Sequence, residues 1–263
     1  MRSPTGAFDL RAALTAEVQA ALEDLNAHDA EDSIHACRVR LKRARAIARL
    51  GGVGAPGLAG VFDDTARGVM RTLAAARSAK ALGQTARRLA KKSHGKEARA
   101  FEAMAQAFHA TTPTPLNVEA AYAGLKDLIA LAQVWPEPSA RQIRRGARRI
   151  SGKARRAFRR AHASEDAALR HDWRKREKDR LYAAEALGRA WPGRRRRKIA
   201  EALNEALGRE RDARLLLQYM NIAPVLANEE RGSERAARTL SKRCKRLARE
   251  ADKLGVELHR RRD

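Results

Sequence analysis

Residue patterning predicts an all-α protein, and three observations carry that expectation. Apolar residues recur three and four apart in one segment after another, the spacing that lines a single helix face. Aromatic residues make up only 4% of the chain, and alanine and leucine supply most of the apolar side chains. That suits helices packed closely through small groups, not a sheet sandwich built from β-branched and aromatic residues. No run longer than a few residues alternates as a strand would. With 44% hydrophobic residues, a chain of 263 can bury a sizeable core.

Taken in order, Leu10, Leu14, Val18, Leu22 and Leu25 mark a first helix, and Ile34 to Leu50 a second. The run G-G-V-G-A-P-G at 51–57 ends it. A third helix is expected from Leu58 to Lys92, with Phe62, Val69, Leu73 and Ala76 on one face. Ser93-His94-Gly95 punctuates the chain before a fourth that carries Ala98, Phe101, Ala105 and Phe108. Asn117 is placed to cap the next, along which Val118, Tyr122, Leu125 and Ile129 recur. In Trp135-Pro136-Glu137-Pro138-Ser139 two prolines coincide with a shift in composition, so the expected halves are residues 1–135 and 136–263. Beyond it, Ile143, Ala147, Ile150, Ala154, Phe158 and Ala161 form an apolar seam in a helix otherwise rich in arginine. A segment opened by His171 runs toward Trp191-Pro192-Gly193, and Ile199, Leu203, Ala206 and Leu207 lead the next helix toward Tyr219. The last shows a seam of Ala237, Leu240, Cys244, Leu247, Ala251, Leu254 and Leu258.

Charge narrows the function. Fifty-six Lys and Arg against 31 Asp and Glu give +25 and a sequence pI near 11.3. An excess of this size repels itself in a compact chain and implies a polyanionic partner. It is uneven: residues 1–135 hold 19 basic and 13 acidic residues, residues 136–263 hold 37 and 18. Only 13 of the cations are lysine, and arginine's planar fork suits phosphate oxygens better than a point charge does. Membrane partners are not expected, because no apolar run approaches the roughly 20 residues of a span and no signal-like segment opens the chain. The expected location is the cytoplasm. Cys37 and Cys244 lack metal or redox spacing. No H-x-x-x-H or H-E-x-x-H occurs, and no cofactor or metal is implied.

One basic ladder occurs twice. Residues 35–45 read H-A-C-R-V-R-L-K-R-A-R and residues 171–182 read H-D-W-R-K-R-E-K-D-R-L-Y, sharing H-x-x-R-x-R-x-K at a separation of 136 residues. On a helix, His35, Arg38, Lys42, Arg45 and Arg49 fall within an arc of about 80°, beside the apolar Ile34, Cys37, Leu41, Ala44 and Ala48. Aligned cations on successive turns repel, so the stripe costs stability until something offsets it, as a bound polyanion would. His35 and His171, among arginines, suit hydrogen-bond donation to phosphate better than metal ligation.

The two ladders resemble the paired signatures of the CHAD family, the conserved histidine α-helical domain. Leu73-Ala74-Ala75-Ala76-Arg77-Ser78 after the first ladder and Leu207-Gly208-Arg209-Glu210-Arg211-Asp212 after the second resemble the family's arginine–aspartate segments, and the likeness covers almost the whole chain. It implies two four-helix bundles related by pseudo-twofold symmetry, with the ladders facing a central basic groove. The implied ligand is inorganic polyphosphate, with association with polyphosphate granules in some members. The implied groove residues are His35, Arg38, Lys42 and Arg45 with Arg49 and Arg77, and His171, Arg174 and Lys178 with Tyr182 and Arg211. Two departures stand out: Ser78 replaces the aspartate after Arg77, and Arg180-Leu181 reverses the usual order, so that the second stripe lacks a cation and Arg180 is expected at the core edge, near Glu177 or solvent.

The residues support this ligand beside the resemblance. Polyphosphate has no bases to stack, and aromatic platforms are scarce near the ladders apart from Trp173 and Tyr182. Nucleic acid is the alternative partner, bound non-specifically at low salt. A polyphosphate- or nucleotide-processing enzyme is less well supported, because 51–57 lacks the G-K-[ST] ending of a phosphate loop. The expectation is therefore a binding protein and not an enzyme.

Overall fold

The computed structural model describes residues 8–26, 30–73, 75–110, 117–193, 196–222 and 230–260, and their side chains except at 30, 31, 75–80, 222 and 230. Within these the chain forms ten α-helices, one 3-10 turn and no strand, which settles the all-α expectation. They are α1 Leu10–Asn26, α2 Ala30–Gly51, α3 Pro56–Thr72, α4 Ala75–Ala90, α5 Gly95–Ala110, α6 Val118–Gln133, α7 Ala140–His162, α8 Ala167–Leu187, α9 Arg197–Ile222 and α10 Glu230–His259.

Local chemistry sets several of the boundaries. Pro56 opens α3, where its fixed φ fits and its missing N–H costs nothing. Asn117 caps α6 by accepting from the Ala120 N–H at 2.9 Å. Ser139 and Gln142 form a reciprocal capping box on α7, and Asp166 caps α8 through the Ala168 N–H at 2.7 Å. Gly188, at φ 53°, ends α8 in a backbone shape that side chains disfavour.

The expected single helix over 58–92 is two helices. Leu73 closes α3, its N–H bonded to the Val69 carbonyl at 3.1 Å and its side chain fully buried. No glycine or proline marks the break. It falls next to the boundary between the two compact units.

Unit 1 comprises Met1–Ala75 and Pro115–Ala200, and unit 2 comprises Ala76–Thr114 and Glu201–Asp263. These units divide the chain at other points than the expected boundary between 1–135 and 136–263. In particular 135–139 lies inside unit 1. Trp135 there is fully buried, edge-on to Phe62 at 5.9 Å, and its carbonyl accepts from Arg11 Nε at 2.5 Å. The proline-rich stretch is a pinned corner.

In unit 1, α2 packs against α1, α3, α7 and α8, while α6 covers α1 and α3. That central position explains why Ala46, Ile47 and Leu50 are buried in addition to the expected anchors. At Gly146 on α7 the helices approach so closely that an added Cβ would lie 2.2 Å from the Leu50 carbonyl oxygen of α2. All six seam residues expected on α7 are buried. In unit 2, Phe101, Met104, Phe108, Leu216 and Leu240 form the heart of a core shared by α5, α9 and α10, with Phe108 and Tyr219 rings 4.3 Å apart. The α10 seam begins one residue earlier than expected: Ala236 is buried and Ala237 half-buried.

Candidate functional site

The first ladder lies on α2 as its wheel predicts. Ile34, Cys37, Leu41, Ala44 and Ala48 are all buried, and the stripe beside them stays at least partly open, with His35 exposed and Arg38, Lys42, Arg45 and Arg49 half-buried. Its lower rungs do not wait for a ligand to offset their repulsion. Arg45 donates bidentately to Asp63 of α3, at 2.9 and 3.3 Å, and Arg49 donates to Asp63 at 2.5 Å and to Asp179 of α8 at 2.7 Å. Arg38 donates to the Met70 carbonyl of α3. Loss of water around Arg38 destabilises its charged form, with Cys37 opposing weakly.

The second ladder lies on α8. Trp173 and Glu177 are fully buried, and Trp173 Nε1 donates to Glu177 at 3.0 Å. The Arg170 guanidinium lies over the Trp173 ring at 5.4 Å, and Phe158 of α7 meets the same ring at 5.1 Å. His171, Arg174, Lys178 and Tyr182 are half-buried. Tyr182 carries cations from both ladders: Lys178 of its own helix lies 6.0 Å from the ring centroid, and Arg43 of α2 lies 5.6 Å away. Arg43 also pairs with Glu185 at 3.8 Å.

Arg180 lies deeper than a core-edge position, at 6% exposure. Desolvation holds its pKa below the ordinary arginine value, with Glu177 opposing and Arg196 adding repulsion. It borders a cleft of about 290 Å³ shared with Arg43, Leu181, Ala184, Glu185, Arg197 and Ala200.

The cross-helix ion pairs follow a pattern. Arg43 and Asp179 each stand eight residues after the histidine of their ladder; Arg49 and Glu185 each stand fourteen after it. Arg43 pairs with Glu185 and Arg49 with Asp179, so position eight of each helix meets position fourteen of the other. The two ladder helices thus meet through exchanged positions, eight against fourteen in both directions.

Around Asp63 and Asp179 the balance stays positive. Arg67 reaches Asp63 at 2.8 Å, and Arg176 reaches Asp179 at 3.9 Å and Asp172 at 3.4 Å. Burial raises the Asp63 pKa, but the hydrogen bond from Arg45 and the charges of Arg49, Arg45 and Arg67 win and hold it below the usual carboxylate value. Asp179 goes the other way: burial dominates and raises it against the pull of Arg49, Arg45 and Arg176. Lys153 on α7 is shifted down, by desolvation first and then by repulsion from Arg149, Arg176 and Arg49. The repulsive share of that shift comes from three arginines and is only partly offset by Asp179.

Of the remaining expected residues, Arg77 has its side chain outside the described residues, as does Ser78. Arg211 is half-buried on the part of α9 that belongs to unit 2, near the pairs Arg209–Glu250 at 3.3 Å and Arg214–Glu210 at 3.0 Å. Sequence reasoning missed Asp63, Asp179, Lys153, Arg43 and Arg197. The opposite signs at Arg43 and Asp179, one ladder position in two copies, were the available clue. Cys37 and Cys244 are buried free thiols. Among the described residues no group of three His, Cys, Asp or Glu is placed to hold a metal, and no helix is long and apolar enough to cross a membrane.

No curated protein and no solved structure matches the chain. A family model, the CHAD domain, matches residues 10–221, from the first residue of α1 to the last turn of α9 and through both ladders, leaving α10 beyond it. With the match spanning most of the chain and both ladders in it, the protein belongs to the CHAD family.

Proposed function

We propose that the protein binds inorganic polyphosphate along the two ladders of α2 and α8, as a binding protein and not a processing enzyme, with association with polyphosphate granules as its cellular counterpart. The family's association with polyphosphate supplies the ligand class. The observation that carries the reading is the meeting of both ladders at Tyr182, where Lys178 and Arg43 share one ring. A chain of phosphates crossing there meets cations of both helices. His35, Arg38 and Lys42 on one side, and His171, Arg174 and Lys178 on the other, provide the direct contacts. Arg45 and Arg49 join by exchanging a carboxylate for a phosphate oxygen.

Nucleic acid fits less well. Trp173 is fully buried and Tyr182 is flanked by two cations, so neither offers an open face to a base. Catalysis fits less well too, because Asp63 and Asp179 are engaged by arginines rather than set against a reacting group.

Labelled polyphosphate competed against DNA, ATP and heparin at physiological salt tests the ligand. Polyphosphate should win, and log affinity should fall linearly and steeply with log salt. The site is tested by Arg38→Ala with Lys42→Ala and by Arg174→Ala with Lys178→Ala. Charge-assisted phosphate contacts contribute about 1.5–3 kcal/mol each, so each double variant should lose at least about tenfold in affinity. The control removes equal charge from the exposed face of α7, as Arg156→Ala with Arg160→Ala. A control that loses as much, or DNA that competes equally, overturns the proposal.

A further inference from the structure

The outer face of α7 differs chemically from the ladders. This helix carries nine arginines and Lys153 in 23 residues and has no carboxylate of its own. Arg155 is half-buried and the other nine cations are exposed. Among the described residues no carboxylate of another element pairs with them, whereas Arg45, Arg49, Arg67 and Arg176 all have acidic partners. Aligned cations on successive turns repel, and a bound polyanion would offset that. Their arrangement is more specific than their number. With Ile143 taken as 0° on the wheel, the buried seam spans about 300° to 60°. Arg144, Arg148 and Arg155 belong to a row of five cations at about 100–160°, and Arg145, Arg149 and Arg156 to a second row of five at about 200–280°. Gly152, at about 180°, lies between the rows and leaves the gap open.

We propose that this face docks on double-stranded DNA, one row on the phosphates of each strand. The major groove is about 12 Å wide and an α-helix with its side chains about 10–12 Å, so cations on both flanks meet both backbones. A single phosphate chain can follow one row and leaves the other without a partner. A flat anionic membrane meets only the middle of a half-cylinder, and the apolar Ile143, Ile150 and Phe158 that would enter it are buried. Duplex RNA presents a deep, narrow major groove instead. Phosphate contacts position a duplex without any aromatic platform, and this face has none. The inference stands apart from the polyphosphate reading, which concerns α2 and α8.

The test is fluorescence anisotropy of the full chain with a short labelled DNA duplex of mixed sequence, over a salt series. The duplex should bind at least about fivefold tighter than single-stranded DNA with the same number of phosphates. One variant thins the first row, Arg144→Gln with Arg148→Gln, and another the second, Arg145→Gln with Arg149→Gln. Glutamine keeps the helix propensity of arginine, and circular dichroism checks the fold. Each variant should lose at least about tenfold in duplex affinity, and the slope of log affinity against log salt should shrink by about 2, two phosphate contacts at about 0.9 each. Lys242→Gln with Lys245→Gln removes the same charge from exposed positions of α10 and should change duplex affinity less than about twofold. Equal loss in the α10 variant, a loss confined to one row, or equal binding of single-stranded DNA overturns the inference. So does binding to phosphatidylglycerol vesicles that falls in the α7 variants while duplex binding holds, which would assign the face to a membrane.

Discussion

Asp63→Asn is the most informative perturbation of the first ladder. Asp63 holds Arg45 at 2.9 and 3.3 Å, Arg49 at 2.5 Å and Arg67 at 2.8 Å. Arg67 is more than half exposed, so its pair contributes little. The other partners are not solvated in the same way: Asp63 and Arg45 are each 16% exposed and Arg49 is 23%. Breaking a fully buried pair costs about 3–5 kcal/mol and a surface pair about 0–1. Partial exposure, together with the one oxygen that asparagine keeps as an acceptor, places the loss at about 2–3 kcal/mol. The depressed Asp63 pKa agrees in sign. Its stabilising charge is fully present above the ordinary aspartate value near 3.8 and is lost as pH falls through the lower folded value. At about 2–4 °C per kcal/mol, the thermal midpoint should fall by roughly 4–12 °C. The variant also frees Arg45, and leaves Arg49 held by Asp179 alone, so polyphosphate should raise its midpoint more than it raises that of the parent. Thermal denaturation with and without polyphosphate, at constant protein and salt, reads both effects. An unchanged midpoint without ligand would refute the structural weight given to Asp63. An equal or smaller rise with ligand would refute a part for Arg45 and Arg49 in binding.

Asp179→Asn should behave differently. Burial raises the Asp179 pKa, so its charged form costs stability that is recovered on protonation and lost again as pH rises through the folded value. The variant should therefore lose less than about 1 kcal/mol at neutral pH and lack the parent's gain on acidification toward pH 4, both read from denaturant midpoints. Cys37 follows the same sign on the alkaline side. Burial first, then Asp24, push its thiol up to about 12 against Arg38. Iodoacetamide should leave it unlabelled in the folded protein at pH 8, and stability should fall as pH rises above the ordinary value of 9, less steeply in Cys37→Ala. Rapid labelling without unfolding would contradict this.

How much of this was legible follows from the range of each signal. The anchors of α2 and the seam of α7 could be read because apolar spacing is a local record of one helix face. The stripe could be read for the same reason. The part Asp63 plays could not, since its ladder partners Arg49 and Arg45 lie 14 and 18 residues away and such a pairing leaves no periodic trace. Arg180 was placed on the core side of its helix by phase, but phase carries no depth, and its burial beside Glu177 depends on neighbours far along the chain. The break between α3 and α4 was invisible because Leu73 and the alanines after it all favour helix. The break falls next to the boundary between the two units.

The crossing of α2 and α8 carries a rule about which partners these helices accept. In α2 the eighth and fourteenth positions, Arg43 and Arg49, are both cationic; in α8 the same positions, Asp179 and Glu185, are both anionic. Two copies of α2 crossed in the same manner would set arginine against arginine, and two copies of α8 would set carboxylate against carboxylate. The mixed crossing alone has opposite signs at both contacts. A duplicated motif normally risks like pairing with like, through a neighbouring molecule as readily as within its own chain. Here the duplicated helices are complementary like the two members of an obligate heterodimer, so homotypic exchange between molecules is discouraged by repulsion and not merely unrewarded.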